Sequence, residues 1–151
     1  MSRKISYLTA LLTTTMWLTS ASSQEHHHGH GDKPVEPPPK IFLDKSPRII
    51  WYQLDRLTNE RLLMVERATD DAKYAPVYTA ILRRGGMAQK DREDALQGLV
   101  LINKTDTVTE LLSTMQELDD GDKEQQRVGR ELAVMLLKEP TEVLAGKANA
   151  L

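Results

Sequence analysis

The sequence predicts an all-α protein, a short α-solenoid of helical hairpins that follows an N-terminal segment rich in histidine and proline. From residue 41 onward, apolar residues recur at intervals of three and four positions, which is the spacing of one helix face. Residues that start and stop helices separate these stretches. No stretch alternates polar and apolar residues for long enough to indicate a strand.

The first 23 residues predict a cleaved secretory signal peptide. Arg3 and Lys4 precede an apolar run over residues 5–18, and residues 19–23 are small or carry hydroxyl groups. A membrane anchor is the alternative, but a spanning helix needs roughly 20 mostly apolar residues, and this run is shorter and rich in threonine. Cleavage after Ala21 or after Ser23 fits. Either predicts an exported protein, periplasmic or extracellular, without a stable membrane span.

The charge pattern argues against nucleic acid as a partner. The chain has 20 basic and 22 acidic side chains, and loss of Arg3 and Lys4 would move its net charge from −2 to −4. The two signs are interspersed, as on solvated helix faces, and no basic patch stands out. Cysteine is absent, so packing rather than disulfide bonds must hold an exported domain together.

Residues 24–40 are predicted to be a disordered linker. Its prolines, including the triplet at residues 37–39, favour an extended polyproline II spacer. Almost nothing apolar in this stretch is available to bury. The folded helical-repeat domain is therefore expected over residues 41–151.

The linker also contains all four histidines of the chain, which are the candidate metal ligands: His26, His27, His28 and His30. Neutral imidazoles bind Cu²⁺, Ni²⁺ or Zn²⁺, although a flexible linker gives no fixed geometry and an incidental solvated tail is the alternative. Cleavage after Ser23 would place histidine third behind a free amine on Gln24, an arrangement that encloses Cu²⁺ or Ni²⁺ in a square plane. No cofactor is expected apart from such a divalent transition metal.

The remaining residues predict a protein that is not an enzyme. No histidine or cysteine follows His30, so the most versatile catalytic side chains are missing. The acidic run at residues 119–122 does not have EF-hand spacing and fits a helix stop followed by a helix start. The aromatic residues suggest either a binding face or core packing, and core packing is favoured for at least the first and last of them: Trp51, Tyr52, Tyr74 and Tyr78.

The first three helices are placed by their start signals. Ser46 followed by Pro47 predicts a capped start to the first helix, and Asn59 is expected to cap the second. Pro76 opens the third, which the glycines at residues 85–86 end. The apolar faces of these helices are Ile50, Trp51, Leu54 and Leu57, then Leu62, Leu63 and Val65, then Val77, Tyr78, Ile81 and Leu82.

The later helices have clearer caps. The fourth is predicted over residues 89–103, and Thr107 with Glu110 matches a capping box for the fifth, with Thr105 as the alternative cap. Asp122 with Gln125 repeats the box for the sixth, and residue 140, a proline, begins a short last helix. Their apolar faces are Ala95, Leu96, Leu99, Val100 and Ile102, then Val108, Leu111, Leu112, Met115 and Leu118, then Val128, Leu132, Met135 and Leu136, and finally Val143 and Leu144.

Two of the helix pairs are similar in sequence. A shift of 32 residues places residues 110–112 over 142–144, and a shift of 33 aligns the apolar faces of the fourth and sixth helices. The aligned residues are Ala95, Leu99 and Ile102 over Val128, Leu132 and Met135. A helical hairpin that recurs at this length is typical of an α-solenoid; an irregular helical bundle is the alternative.

Three stretches resemble the HEAT-like helical module of secreted planctomycete proteins: DKSPRI at residues 44–49, LLMVERATDDAKYAPVY at 62–78 and DREDALQGLVLINKTDTVTELL at 91–112. The resemblance covers residues 44–144. In that family such modules often accompany c-type haem or other periplasmic domains, but this chain has no Cys-x-x-Cys-His motif for haem. The resemblance implies a scaffold or interaction role rather than catalysis. The expected partner is another exported protein. The alternative hypothesis is a metal-handling protein that uses the histidine tract.

Overall fold

The computed structural model describes residues 36–148 and contains only helices there, which confirms the all-α prediction for this part of the chain. No strand occurs within these residues. A single turn of 3-10 helix, Ala72–Tyr74, precedes the third α-helix. The α-helices are α1 (Pro47–Asp55), α2 (Asn59–Leu63), α3 (Ala75–Arg83), α4 (Gln89–Asn103), α5 (Thr107–Gln116), α6 (Lys123–Leu136) and α7 (Thr141–Ala148).

The extensive contacts join helices that are one or two positions apart in the chain. The most extensive contact joins α3 to α4, and α4 contacts α5, which contacts α6. Alternate helices also touch, because α1 contacts α3, α3 contacts α5 and α5 contacts α7. The odd-numbered helices therefore form a row that follows chain order.

The core consists of the apolar faces that the helical spacing predicts. Side chains from α1 to α6 meet in one buried cluster, and each fully buried Leu or Val contributes about 1.5–3 kcal/mol relative to exposure. The face of α7 is the exception, since Val143 is 41% exposed. Residues with 0% exposure are Leu54, Leu62, Val77, Leu82, Leu111, Val128 and Leu132.

The caps of the first two helices differ from the prediction. α1 begins at Pro47 as expected, but the hydroxyl of Ser46 makes no capping hydrogen bond. Thr58, and not Asn59, caps α2, because its hydroxyl accepts a hydrogen bond from the backbone N–H of Arg61 at 3.3 Å. Both Thr58 and Asn59 can cap a helix, so their order in the sequence does not decide between them.

The N-cap of α5 also differs from the prediction. Asp106 lies at the N-cap and accepts a hydrogen bond from the backbone N–H of Thr109 at 3.0 Å. Glu110 was the predicted partner in the capping box, but its carboxylate points toward the loop before α5. There it accepts hydrogen bonds from the Asn103 amide (3.1 Å) and the Thr105 hydroxyl. This buried carboxylate therefore closes the connection between α4 and α5.

The cap of α6 is confirmed in part. Asp122 accepts a hydrogen bond from the backbone N–H of Glu124 at 2.8 Å, as a helix N-cap does. Gln125 does not complete the predicted box, because its Oε1 is buried without a hydrogen-bond partner.

The end of the predicted linker lies against the domain. Arg61 on α2 donates a hydrogen bond to the backbone carbonyl of Pro37 at 2.9 Å and forms an ion pair with Glu36 at 3.0 Å. A few residues later, the backbone N–H of Phe42 donates to Gln53 Oε1 at 3.1 Å. Residues 36–43 therefore run along α1 and α2 before the first helix begins.

The close packing of α3 on α4 depends on a glycine. Gly98 lies in the middle of α4, and a methyl group in its place would overlap the ring of Tyr78 on α3. A glycine inside a helix costs about 1 kcal/mol relative to alanine. Because Gly98 has no side chain, α3 and α4 can approach each other closely, and their packing offsets this cost.

We expect Gly98→Ala to destabilise the protein by about 1–3 kcal/mol in urea denaturation, since overpacking outweighs the gain in helix propensity. Gly129→Ala on α6 is the matched control. Its added methyl would meet only Leu118 Cδ1, at an ordinary 3.4 Å, so it should stabilise by up to about 1 kcal/mol. Equal effects of the two substitutions would contradict this account of the α3–α4 contact.

Candidate functional site

The candidate site is built on a buried arginine near the start of α4. Arg92 is 2% exposed, and its guanidinium donates to the backbone carbonyls of Leu82 and of Arg84, the latter at 2.6 Å. These carbonyls lie at the C-terminal end of α3, where backbone oxygens have no partner within the helix. The same guanidinium donates to Glu131 on α6 at 2.7 Å. One side chain thus joins three helices.

The charge of Arg92 is balanced by its surroundings. Burial lowers the pKa of this guanidinium from its ordinary value, and the Glu131 carboxylate acts in the opposite direction by favouring the charged form. The negative end of the α3 dipole also favours a cation here. Glu131 accepts a second hydrogen bond from Arg127, one turn earlier on α6, at 3.1 Å. The carboxylate is therefore held in place from two sides.

A groove runs between α4 and α6 beside this cluster. It consists of two depressions, of about 290 and 260 Å³, which share the side chain of Met135. The first lies beside Met87, Arg92 and Glu131, and the second beside Leu96 and Leu111. Methionine side chains are flexible and adapt to different partners. The groove therefore has an apolar floor that can adjust its shape.

An ion pair crosses the second depression. Lys138 Nζ lies 3.3 Å from Glu93 Oε1. A hydrogen bond from Gln89, followed by that from Lys138, lowers the pKa of the Glu93 carboxyl from its usual value. Both partners of the pair are about half exposed, so solvent screens their attraction. A ligand that enters the groove can replace this pair at little cost.

Exposed apolar residues lie on both helices that form the groove, and one of them lines it. Val134 lines the first depression and is 56% exposed, and Leu137, three residues further on α6, is 78% exposed. On α4, Leu101 is 60% exposed and lies one turn beyond Gln97, which lines the second depression. The 33-residue shift relates Leu101 to Val134. Exposed apolar groups next to a groove, surrounded by polar residues, are typical of an interaction surface.

Arg92 is not among the residues predicted for a site, although its position in the sequence carries a signal. Arg92 precedes Ala95 by three residues, Leu96 by four and Leu99 by seven, so it lies on the apolar face of α4. A charged residue at such a position must either reach solvent or find buried partners. The carbonyls at the end of α3 and the Glu131 carboxylate are those partners.

The predicted metal ligands lie outside the described residues: His26, His27, His28 and His30. Within residues 36–148 no group of three potential His, Cys, Asp or Glu ligands is close enough together to hold a metal ion.

The four aromatic residues that could form a binding face or pack in the core differ in how deeply they are buried. Tyr78 is buried as predicted, Trp51 and Tyr74 are half-buried, and Tyr52 is 61% exposed.

Comparison with known proteins identifies no relative. No protein-family model matches the sequence, and no curated protein or solved structure is detectably similar to it. Between residues 36 and 148, no helix is long and apolar enough to cross a membrane.

We expect Arg92→Met to lower the free energy of unfolding by about 2–4 kcal/mol in urea denaturation, because it leaves two backbone carbonyls and the Glu131 Oε2 atom without their donor. Arg127→Met is the matched control, since it removes the exposed partner of the same carboxylate and should cost about 1 kcal/mol or less. Similar costs for the two variants would show that the buried arginine is not a principal support of the fold.

Proposed function

We propose that this chain is an exported, non-catalytic helical-repeat module that binds another exported protein through the groove between α4 and α6. The observation that supports this most is Val134, which is 56% exposed in the lining of the groove beside Met87 and Met135; Leu101, at the related position on α4, is exposed as well. The proposal that the chain is exported rests on the signal-peptide pattern of its first 23 residues. The lack of histidine and cysteine after His30 supports a role without catalysis.

The repeat interpretation has two supports of its own. The first is the row in which α1 contacts α3, α3 contacts α5 and α5 contacts α7, which is how successive hairpins stack in an α-solenoid. The second is the 33-residue correspondence between the apolar faces of α4 and α6. Solenoids use such stacked helices to form extended binding surfaces, and the resemblance to HEAT-like modules agrees with this use.

The shape of the groove suggests how a partner would bind. An amphipathic helix places apolar side chains every three or four residues along one face. Two consecutive depressions that share Met135 can receive two such side chains. Glu93 and Lys138 at the rim can then pair with opposite charges on the partner, which contributes specificity more than affinity.

Site-specific photo-crosslinking in the natural host tests this proposal. A photoreactive amino acid at position 101 or at position 134 should yield the same crosslinked protein, because position 134 lines the groove and position 101 lies one turn beyond Gln97, which also lines it. The control position is Arg130 on α6, which lines a different depression beside Met115 and Leu118. Different products at positions 101 and 134, no product at either, or an equal product at 130 would contradict the proposal.

A paired substitution gives the same test in solution. We expect Leu101→Arg with Val134→Arg to abolish binding of the crosslinked partner, because the charges would have to be desolvated. Both side chains are largely exposed, so the free energy of unfolding should change by about 0.5 kcal/mol or less. Retained binding in titration calorimetry would exclude the groove as the binding site.

A second candidate function, capture of Cu²⁺ or Ni²⁺ by the linker, rests on four histidines within five residues. The order of metal affinities favours Cu²⁺. Binding should weaken below about pH 6, since imidazoles with a pKa near 6.5 become protonated and lose the ligand lone pair. Calorimetric titration should show binding that disappears when His26, His27, His28 and His30 are all changed to alanine. Undiminished binding by that variant would place the metal elsewhere.

A further inference from the structure

A separate cleft lies between α1, the C-terminal end of α3 and the start of α6. Its volume is about 430 Å³, which is within the roughly 300–1,000 Å³ of small-molecule sites. Trp51 and Ala80 supply its apolar part, and most of the remaining lining is polar or charged. None of its residues lines the groove between α4 and α6. We call this cavity the Trp51 cleft.

One buried hydrogen-bond acceptor in the Trp51 cleft has no donor. Gln125 lies in the first turn of α6 and lines the cleft, and its Oε1 atom is buried without a hydrogen-bond partner. Among the buried side-chain nitrogens and oxygens between residues 36 and 148, this atom alone lacks a partner. Buried polar atoms of folded proteins nearly always have a partner from the protein, from water or from a ligand. The Oε1 atom therefore marks a position for a hydrogen-bond donor.

Two carboxylates in the same cleft also lack a donor. Asp55, at the end of α1, and Glu124, beside Gln125, both line the cleft. Neither carboxylate has a hydrogen-bond or ion-pair partner within residues 36–148. Both side chains are exposed, so a cationic donor can replace the water that solvates them. The Glu124 carboxylate lies against the backbone of Gly85, where any side chain would overlap it.

The two arginines that line the cleft have other partners. Arg83 donates to the Glu117 carboxylate at 3.1 Å and to the Glu117 backbone carbonyl at 3.0 Å. Arg84 donates to backbone carbonyls at the end of α1, to that of Leu54 at 2.9 Å and to that of Asp55 at 3.4 Å. With Glu117 counted, three carboxylates face two guanidiniums around the cleft, so one negative charge remains uncompensated.

The basic residues adjacent in sequence to the unpaired carboxylates do not line the cleft. Arg56 follows Asp55, but its guanidinium donates to the Tyr52 hydroxyl at 2.5 Å and lies over the Tyr52 ring. Lys123 precedes Glu124 and is exposed. The cleft therefore presents free acceptors and a net negative charge to a ligand.

We propose that the Trp51 cleft binds a small organic cation, a primary amine with an apolar body. An ammonium group has three donors and no acceptor, so it suits a cleft whose free groups accept hydrogen bonds. Its hydrogen bonds to the Gln125 amide oxygen and to a carboxylate are charge-assisted and therefore strong. The apolar body of the ligand packs on the Trp51 indole. An anion, by contrast, would meet two unpaired carboxylates.

Tryptophan fluorescence tests the proposal with three probes of similar shape and different charge: phenethylamine, phenethyl alcohol and phenylacetate. The chain contains two tryptophans, so the full chain with Trp17→Phe reports on Trp51 alone. Phenethylamine should change the fluorescence saturably, and the neutral and anionic probes should not. An equal response to the alcohol would overturn the proposal, and so would stronger binding of phenylacetate, which would assign the site to the arginines. Binding of a lysine-containing peptide without binding of phenethylamine would overturn it in favour of a basic partner protein.

Three variants locate the binding of phenethylamine. Gln125→Leu should weaken it about 10-fold, the usual effect of losing a hydrogen bond to a charged group. The melting temperature of the free variant should stay the same or rise, because an apolar group replaces an unpaired buried oxygen. Glu124→Gln should also weaken binding about 10-fold. The control, Glu142→Gln, removes the same charge from an exposed position on α7 and should change the affinity by a factor of about two or less. Equal losses in the Glu124 and Glu142 variants, or unchanged affinity in Gln125→Leu, would overturn the proposal.

Discussion

The packing of α3, α4 and α6 depends on one constraint: the buried guanidinium of Arg92 needs hydrogen-bond acceptors and an opposite charge. Arg92 is a residue of α4. Its guanidinium donates hydrogen bonds to the backbone carbonyls at the C-terminal end of α3 and pairs with Glu131 on α6. A buried ion pair often adds little net stability, because desolvation offsets attraction. Its effect here is to fix one arrangement of three helices, since each alternative arrangement would leave carbonyls or a charge unpaired in the interior.

The groove follows from that arrangement. Arg92 and Glu131 form part of its wall, and Met135, on the buried face of α6, forms the floor where the two depressions meet. A pairing that fixes the distance between α4 and α6 therefore also fixes the width of the groove. The Glu93–Lys138 pair, by contrast, is solvated and replaceable. The groove thus combines a wall held by a buried ion pair with a solvated rim.

Much of this fold could be predicted from the sequence, because apolar spacing and proline positions determine where helices run. The bounds of α4 and the buried face of α6 agree with the prediction. Caps were less predictable, since neighbouring residues such as Thr58 and Asn59, or Asp106 and Thr107, have similar chemistry and only the backbone geometry selects one. The groove could not be predicted from the sequence, because it forms between α4 and α6, which are not consecutive helices. Arg92 was not singled out, since its neighbours Asp91 and Glu93 are charged as well and such a run is typical of a solvated helix face.

The most direct test of the central claim is amide hydrogen exchange measured by mass spectrometry on the Arg92→Met variant. If Arg92 holds α6 against α3 and α4, exchange should accelerate most in α6 and at the C-terminal end of α3, while α1 and α2 keep most of their protection. A uniform acceleration across all helices would mean that the substitution only lowers global stability. Unchanged protection in α6 would contradict the claim that this arginine positions the groove.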